Sequence, residues 1–260
     1  FLLSFYYFDI SLKMFLTIPQ NIIFFTSITA VFITGFIDDY IKIRTFKKII
    51  LQICLAVVII YGLNFDQLSL FPFIKNYYIN FVLQIFFILG IANSINLIDG
   101  VDNLAACISI TSSFLFIIVS IMFDFTGIAF LFYMIIGCLL SYIIFNNFIK
   151  RVFIGDSGSL LLGWIFAIYS LFLMKFSNEI TIHIPLIILL IPAFDVIYVM
   201  LVRFLKTDNS KIIIKISNMF LPDSNHIHYN LRRLGLNNFY ICFALCIIPL
   251  FIFSIFFYNF

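Results

Sequence analysis

Hydrophobic residues along the chain fall into long runs separated by short polar segments. A helix needs about 20 apolar residues to cross a hydrocarbon core about 30 Å thick. Nine runs approach that length, at residues 1–16, 18–36, 48–63, 79–98, 105–123, 127–145, 159–176, 181–202 and 239–258. The pattern therefore predicts an all-α polytopic membrane protein with about nine transmembrane helices, arranged as a single domain over residues 1–260.

The overall composition also favours a membrane protein. Of the 260 residues, 64% are hydrophobic and 10% are charged, whereas soluble domains are about 45–50% apolar and about 25% charged. The net charge of +3 is small and dispersed, which argues against nucleic-acid binding. The five cysteines lie inside apolar runs without a CxxC pair, and we interpret them as small hydrophobic residues.

Basic residues are distributed unequally between the two ends of the predicted spans. The segments that join spans two and three, four and five, six and seven, and eight and nine lie on one side of the membrane. They hold 12 of the 15 basic residues: Lys42, Arg44, Lys47, Lys48, Lys150, Arg151, Arg203, Lys206, Lys211, Lys215, Arg232 and Arg233. Cytoplasmic loops carry an excess of Lys and Arg, so we expect this side to face the cytoplasm.

Four polar clusters fall on the same predicted side. The first is GFIDDY at residues 35–40, where the second span ends. Its adjacent carboxylates, Asp38 and Asp39, can bind a divalent cation or accept a proton. The alternative interpretation is an interfacial charge cluster that only ends the helix.

The second cluster, residues 93–104, repeats a carboxamide or carboxylate every third position, at Asn93, Asn96, Asp99 and Asp102. On a helix each step of three falls back by about 60°. The set therefore spreads over half of the helix surface, which must face a polar interior rather than lipid.

The third cluster is FIGDSGS at residues 153–159, directly before a predicted span. Small residues at a helix N-terminus expose N–H groups that can bind phosphate. Asp156 would repel that phosphate unless a divalent cation lay between them. The alternative is a simple cap and turn, with Ser159 as the N-cap.

The fourth cluster holds His226 and His228, with Arg232 and Arg233 close behind. A zinc site would need further Cys or His ligands, and none is nearby in the sequence. Binding to phosphate or sugar hydroxyls fits these residues better. His183 lies on the opposite side and is interpreted as structural.

Five motifs together resemble the polyprenyl-phosphate N-acetylhexosamine-1-phosphate transferase superfamily. They are GFIDDY (35–40), NSINLIDGVDNLA (93–105), FIGDSGSLLLG (153–163), IPAFD (191–195) and NHIHY (225–229). The His-x-His motif is more similar to the undecaprenyl-phosphate GlcNAc-1-phosphate transferase branch than to the phospho-MurNAc-pentapeptide translocases. Two positions depart from the pattern: Asn103 stands where Gly is usual, and Tyr229 stands where a further His is usual.

The resemblance implies a fold of ten or eleven transmembrane helices. We therefore expect that at least one N-terminal helix and the first cytoplasmic loop are missing from residues 1–260. It also implies a bacterial inner-membrane enzyme with its active site on the cytoplasmic face. Homodimers occur in the superfamily.

The implied reaction transfers an N-acetylhexosamine 1-phosphate from a UDP-sugar to undecaprenyl phosphate and releases UMP. This step initiates the synthesis of cell-envelope polysaccharides such as O-antigen. UDP-N-acetylglucosamine is the expected donor, although the residues do not identify the sugar. Mg²⁺ is the expected cofactor, with Mn²⁺ as the alternative, since the candidate ligands are oxygens.

The resemblance assigns roles to individual residues. Asp156 is the first metal ligand and Asn96 the second. Asp38 and Asp39 orient or deprotonate the lipid phosphate, Asp99 and Asp102 lie against the nucleotide, and Phe153 stacks on uracil. The remaining predicted substrate-binding residues are Asn93, Asn96, Gly155, Ser157, Gly158, His226, His228 and Arg232.

Two other functions are consistent with parts of this pattern. A transporter would also place acids in the membrane, but coupling acids usually lie near the midplane and within repeated halves. Here the acids gather at one interface and no repeat is visible. An inactive homologue that acts as a scaffold is the second alternative, because of the departures at Asn103 and Tyr229.

Overall fold

The computed structural model describes residues 17–99, 103–148, 154–177, 179–206 and 226–258. The predicted span at 1–16 and two predicted site residues, Asp102 and Phe153, lie outside these ranges. The described helices are α1 (Ile18–Ile41), α2 (Thr45–Gly62), α3 (Tyr77–Ile98), α4 (Leu104–Met122), α5 (Thr126–Phe148), α6 (Gly155–Phe176), α7 (His183–Ile188), α8 (Leu190–Lys206), α9 (Ile227–Arg233) and α10 (Asn238–Tyr258). The all-α prediction is confirmed.

Seven helices in the described ranges are long and apolar enough to cross a membrane: α1 to α6 and α10. Their bounds lie within a few residues of the predicted runs. The predicted count of nine is not confirmed, because the run at 181–202 forms two shorter helices and the run at 1–16 lies outside the described residues.

The break between α7 and α8 follows from a proline. A helical carbonyl accepts the N–H of the residue four positions later, and the partner due to Ile188 is Pro192, which has no N–H. The helix is interrupted at Leu189. Ser112, from α4, donates its hydroxyl to the Ile188 carbonyl at 3.1 Å. A neighbouring helix thus satisfies a carbonyl that would otherwise be unpaired in an apolar environment.

Helix α6 is the most buried of the seven long helices in the described part of the chain, and it packs most extensively against α1 and α3. Two glycines allow this close approach. A methyl group at Gly163 would lie 2.6 Å from the Ala92 Cα, and one at Gly35 would lie 2.5 Å from the backbone carbonyl oxygen of Asp156. The polar N-terminus of α6 is therefore held against the last turn of α1.

Asn103 precedes α4 in a left-handed conformation, with φ of 64°. Asn is among the few residues other than Gly that adopt this conformation readily. Its side chain bridges to the end of α5: it donates to Asn147 Oδ1 at 2.8 Å and accepts from Asn146 Nδ2 at 2.8 Å. The departure from the usual Gly is thus compatible with the backbone and adds a link between α4 and α5.

We predict separate stabilising contributions from the backbone conformation and the side-chain bridge of Asn103. Asn103→Ala loses both the favourable left-handed conformation and the bridge, so it should destabilise the protein by about 1–3 kcal/mol. Asn103→Gly loses only the bridge and should cost about half as much. Thermal unfolding in detergent measures both. Equal melting temperatures for the two variants would contradict this interpretation.

Candidate active site

The candidate site lies where four helix ends meet. The last turns of α1 and α3, the first turn of α2 and the N-terminus of α6 come together through side-chain contacts. Because α1 and α3 run in the same direction across the membrane and α2 and α6 run in the opposite direction, these four ends fall on one side. The predicted convergence of the first three polar clusters is observed for Asp38, Asp39, Asn96, Asp99 and Asp156.

Two carboxylates from neighbouring helices cap the N-terminus of α6. Asp39 accepts the backbone N–H groups of Asp156 at 2.8 Å and Ser157 at 3.1 Å. Asp99 accepts the N–H of Gly155 at 3.0 Å. The first N–H groups of a helix lack partners within the helix, and its N-terminus favours negative charge. These bonds therefore attach α1 and α3 to the start of α6.

This arrangement modifies the phosphate-binding interpretation of residues 153–159. The N–H groups expected to face a phosphate donate to carboxylates instead. Gly155 has φ of 74°, and a methyl group there would lie 2.9 Å from Asp39 Oδ2. Glycine is therefore required for the close approach of Asp39. Direct phosphate binding by Gly155, Ser157 and Gly158 stays a prediction.

Lys48 bridges two carboxylates at the centre of the site. Its ammonium nitrogen lies 2.8 Å from Asp38 Oδ2 and also contacts Asp156 Oδ2. Asp38 Oδ1 accepts the N–H of Ile43 at 2.6 Å, so both of its oxygens are engaged. The Lys48 side chain is only 9% exposed. A buried ammonium group of this kind is stable only when it is paired.

The carboxamides of α3 are also engaged. Asn93 donates to Gln52 Oε1 at 2.8 Å, which links α3 to α2. Asn96 Oδ1 lies 2.6 Å from the hydroxyl of Ser159, which is also within 2.6 Å of the Gly155 carbonyl. The structure thus brings the two predicted metal ligands, Asp156 and Asn96, to the first turn of α6.

Burial affects the protonation of Asp99, which follows the last residue of α3. The pKa of the Asp99 carboxyl is raised to about 7, mainly by removal of the carboxyl from water and in addition by the nearby carboxylates of Asp156 and Asp39. The hydrogen bond from Gly155 acts in the opposite direction. Proton binding at Asp99 therefore falls in the neutral range.

A second polar cluster joins α8 to α9. His226 Nδ1 lies 2.7 Å from Asp195 Oδ2, and Asp195 Oδ1 accepts the N–H of Ile227 at 2.7 Å. The His226 and His228 rings are stacked, with centroids 5.7 Å apart. Burial lowers the pKa of His228 to about 4. The imidazole of His228 is therefore neutral at physiological pH.

The two polar clusters adjoin one apolar cluster. Ile98, directly before Asp99, packs with Leu104 of α4 and Ile191 of α8. Ile227, directly after His226, packs against the same cluster. Arg232 is exposed on α9. The structure therefore places the histidines beside the end of α3 but in a group separate from the four carboxylates.

Tyr229 occupies the position at which the resemblance expects a further histidine. Its ring lies 4.2 Å from the His228 ring, centroid to centroid. The substitution therefore keeps an aromatic side chain against the stacked pair.

Sequence reasoning did not identify Lys48, Gln52 and Asp195 as parts of these clusters. Each is a polar residue at the start of, or within, a predicted membrane span. Such residues are costly in the membrane and usually face a protein interior. The presence of these polar residues in predicted spans was therefore the signal by which they could have been identified. Lys48 was instead counted among the loop charges, and Asp195 was only part of a motif without an assigned role.

The described residues include no group of three or more His, Cys, Asp or Glu side chains spaced to hold a metal ion. The chemistry of the cluster nevertheless fits an oxygen-preferring cation. Asp38, Asp39, Asp99 and Asp156 converge there, and Lys48 already places a positive charge between two of them. Mg²⁺ prefers oxygen ligands such as carboxylates.

Comparison with known proteins supports the same family. A profile described as glycosyl transferase family 4 matches residues 21–174. This segment is more than half of the chain and holds three of the five motifs. The chain belongs to glycosyl transferase family 4. The resemblance seen in its motifs is thereby confirmed.

Individual relatives in this family cover much of the chain. It is 31% identical over 214 residues to a probable undecaprenyl-phosphate N-acetylglucosaminyl 1-phosphate transferase of Bacillus subtilis, and the aligned segment covers 80% of this chain and 57% of that protein. It is 31% identical over 217 residues to a phospho-N-acetylmuramoyl-pentapeptide-transferase of Streptococcus pneumoniae, covering 78% of this chain and 62% of that protein. A Clostridioides difficile protein of the latter name is 34% identical over 146 residues, covering 50% of this chain and 45% of that protein. The chain spans about half to three fifths of the length of these relatives.

The raised pKa of Asp99 predicts a pH-dependent stability. The folded protein holds a proton up to about pH 7, whereas an unfolded carboxyl releases it near pH 4. This contribution is fully present below about pH 4 and is lost as the pH rises through 7. Between pH 5 and 8 its loss should amount to about 1 kcal/mol after solvent screening, or roughly 2–4 °C in Tm.

Asp99→Asn should reduce this pH dependence, because its carboxamide oxygen still accepts from Gly155 but does not titrate. Thermal melts in detergent at pH 5 and pH 8 give the difference between variant and parent. Asp124→Asn, at an exposed residue between α4 and α5, is the matched control. An Asp99→Asn protein with the parent's pH dependence would show that this carboxyl is not the source.

Lys48 should contribute to stability through both carboxylates. Lys48→Met leaves Asp38 and Asp156 without their cation and should destabilise the protein by about 1–3 kcal/mol. Adding Asp38→Asn should recover part of that loss. Lys47→Met, at the exposed neighbouring lysine, is the control. Chemical unfolding in detergent gives the stability of Lys48→Met, of Asp38→Asn and of the double variant. If the losses of the two single variants add up to that of the double variant, Lys48 and Asp38 are not coupled.

Proposed function

We propose that this chain transfers an N-acetylhexosamine 1-phosphate group from a UDP-sugar to a polyprenyl phosphate and releases UMP. The observation that carries the proposal is the convergence of four carboxylates and Lys48 at the N-terminus of α6. The family and the name of the Bacillus subtilis relative support it. The donor that we expect is UDP-N-acetylglucosamine.

The reaction joins two anionic groups. An oxygen of the polyprenyl phosphate attacks the phosphorus attached to the sugar, and the bond from that phosphorus to the oxygen bridging to the nucleoside phosphate breaks. UMP leaves with that oxygen. Catalysis of such a transfer depends mainly on positioning and on stabilising negative charge. A phosphate monoester has a second pKa of about 6, so most of the nucleophile is a dianion at neutral pH, and we favour direct attack.

Within this proposal, Lys48 supplies positive charge beside the reacting phosphates. Asp38 holds its ammonium group, since the two lie 2.8 Å apart. Asp39 and Asp99 fix the start of α6 and so the position of Asp156. The further assignment of Asp38 and Asp39 to orienting or deprotonating the lipid phosphate stays a prediction.

Asp156 and Asn96 are the residues that we propose as ligands of a divalent cation, Mg²⁺ or Mn²⁺. When bound, the cation would stabilise negative charge on phosphate oxygens. The oxygen donors of the cluster suit such an ion. Asp38 and Lys48 would then keep the Asp156 carboxylate oriented toward the site.

The remaining predicted contacts concern the donor. Asp99, Asp102 and Phe153 are proposed at the nucleotide, and His226, His228 and Arg232 at the diphosphate or sugar. Asn93 is proposed as a further substrate-binding residue. Because burial lowers the pKa of His228 to about 4, this imidazole is suited to hydrogen bonding rather than to charge pairing. Arg232 is exposed and carries a permanent charge, which suits a phosphate.

The cellular setting forms part of the proposal. Basic residues are concentrated on the side of the candidate site, so we propose that the site faces the cytoplasm. The donor is water-soluble and the acceptor is embedded in lipid, which suits a site at one end of the helices. A transporter is less consistent with this arrangement, since its coupling groups usually lie near the midplane. A single domain over residues 1–260 and a homodimer are further predictions.

Lipid-dependent UMP release tests the proposal. The purified chain would be incubated with Mg²⁺, undecaprenyl phosphate and each of several UDP-N-acetylhexosamines. We expect release with one donor, loss on chelation of divalent cations, and a reduction of at least roughly 100-fold for Asp156→Asn. Asp66→Asn, at a carboxylate beyond the opposite end of α2, is the matched control and should keep the parent's rate.

Release without added lipid, or release unchanged in Asp156→Asn, would overturn the assignment of this site. Inactivity with every donor in protein that melts cooperatively would favour the scaffold alternative.

A further inference from the structure

The carboxylate of Asp195 is buried in α8 and holds the start of α9 with both of its oxygens. Asp195 is 1% exposed and His226 is 3% exposed. One oxygen lies 2.7 Å from His226 Nδ1, and the other accepts the N–H of Ile227 at 2.7 Å. This two-point attachment fixes the position of the His226 backbone and the plane of its ring.

The attachment also determines the tautomer of His226. An ionised carboxylate can only accept hydrogen bonds, so Nδ1 must carry the hydrogen. The second ring nitrogen, Nε2, is then the one that accepts a hydrogen bond in the neutral ring or donates one in the protonated ring. A hydrogen bond at one nitrogen commonly sets the role of the other in this way.

His228 extends the arrangement. Its ring is nearly parallel to that of His226, with an angle of 10° between the planes. His228 is 1% exposed, and its Nε2 has no hydrogen-bond partner among the described residues. Leaving a buried polar atom unpaired costs about 1–3 kcal/mol, and a bound ligand that pairs with it removes this cost. The unpaired nitrogen therefore points to a ligand.

We propose that Asp195 is a positioning residue that holds His226 with its Nε2 available to a ligand. His226 and the stacked His228 then bind oxygen atoms of the sugar phosphate. The identity of this ligand rests on the proposed function, whereas the tautomer and the attachment do not. Asp195 does not itself contact substrate in this proposal.

The chain offers a direct test because it holds only three histidines. Nitrogen NMR of ¹⁵N-histidine-labelled protein in detergent distinguishes the two neutral tautomers. Single substitutions of His183, His226 and His228 by Gln assign the signals. We expect His226 to carry its hydrogen on Nδ1. A hydrogen on Nε2 of neutral His226 would overturn the proposal without any activity measurement.

Asp195→Asn tests the consequence for function. The carboxamide has similar volume, but it accepts through only one atom and presents a donor through the other. It therefore cannot serve both His226 and Ile227 as the carboxylate does. We expect kcat/KM for the UDP-sugar to fall roughly 10-fold to 100-fold, the range seen when a partner that orients a metal-binding histidine is removed, with KM for polyprenyl phosphate unchanged. Asp195→Glu, which keeps the carboxylate, should retain more activity.

Tyr198→Phe is the matched control. Its hydroxyl also links α8 to α9, through Asn230 Nδ2 at 3.4 Å, but it does not contact His226. A similar loss in Tyr198→Phe and Asp195→Asn, or an equal effect of Asp195→Asn on both substrates, would show that Asp195 serves only to attach α9. Absence of all activity in the parent would instead count against the proposed function and leave the NMR result decisive for Asp195.

Discussion

The attachment of the α6 N-terminus to carboxylates of neighbouring helices is the interaction on which the rest of the site depends. The first backbone N–H groups of a helix have no partner within the helix, and each needs one from elsewhere. Asp39 and Asp99 supply those partners from α1 and α3. The same bonds that complete the helix therefore bring acidic residues from three parts of the sequence to one place.

This solution concentrates negative charge, which must itself be compensated. Lys48 does so for Asp38 and Asp156, while Asp99 responds through a raised pKa. A cluster that retains more carboxylates than ammonium groups is suited to bind a further cation. A charge distribution of this kind has little value for folding alone, since a buried ion pair gains little over apolar packing. The proposed function, a reaction between anions, would account for this charge distribution.

Most of the fold and part of the site could be predicted from the sequence. Runs of apolar residues gave the long helices within a few residues, because lipid imposes a length that the composition must meet. The convergence of Asp38, Asn96 and Asp156 followed from the alternating direction of the spans. The break at Leu189 was not predicted, although Pro192 lies inside the run, because a proline does not by itself decide between a kink and an interruption.

The contacts that were not predicted depend on how the helices pack, since packing decides which residues of two helices become neighbours. Lys48 reaches Asp156 across 108 positions of sequence, and nothing in the local pattern of α2 specifies that neighbour. Similarly, the sequence suggested free N–H groups at residues 155–157 because it could not show that Asp39 approaches them. Asn103 was interpreted as a departure from a family pattern. Its left-handed backbone and its bridge to α5 show that one physical requirement can be met by either of two residue types.

The two polar clusters differ in electrostatic character, and this difference suggests a division of tasks. The cluster at α6 is rich in charge and includes Asp38, Lys48 and Asp156, whereas His228 is held neutral by burial. Charge suits the stabilisation of phosphates, and neutral donors and acceptors suit sugar hydroxyl or amide groups. Ile98 and Ile227 connect both clusters through one apolar core. The donor in the proposed function carries a diphosphate beside a sugar and so presents the same two kinds of group next to each other.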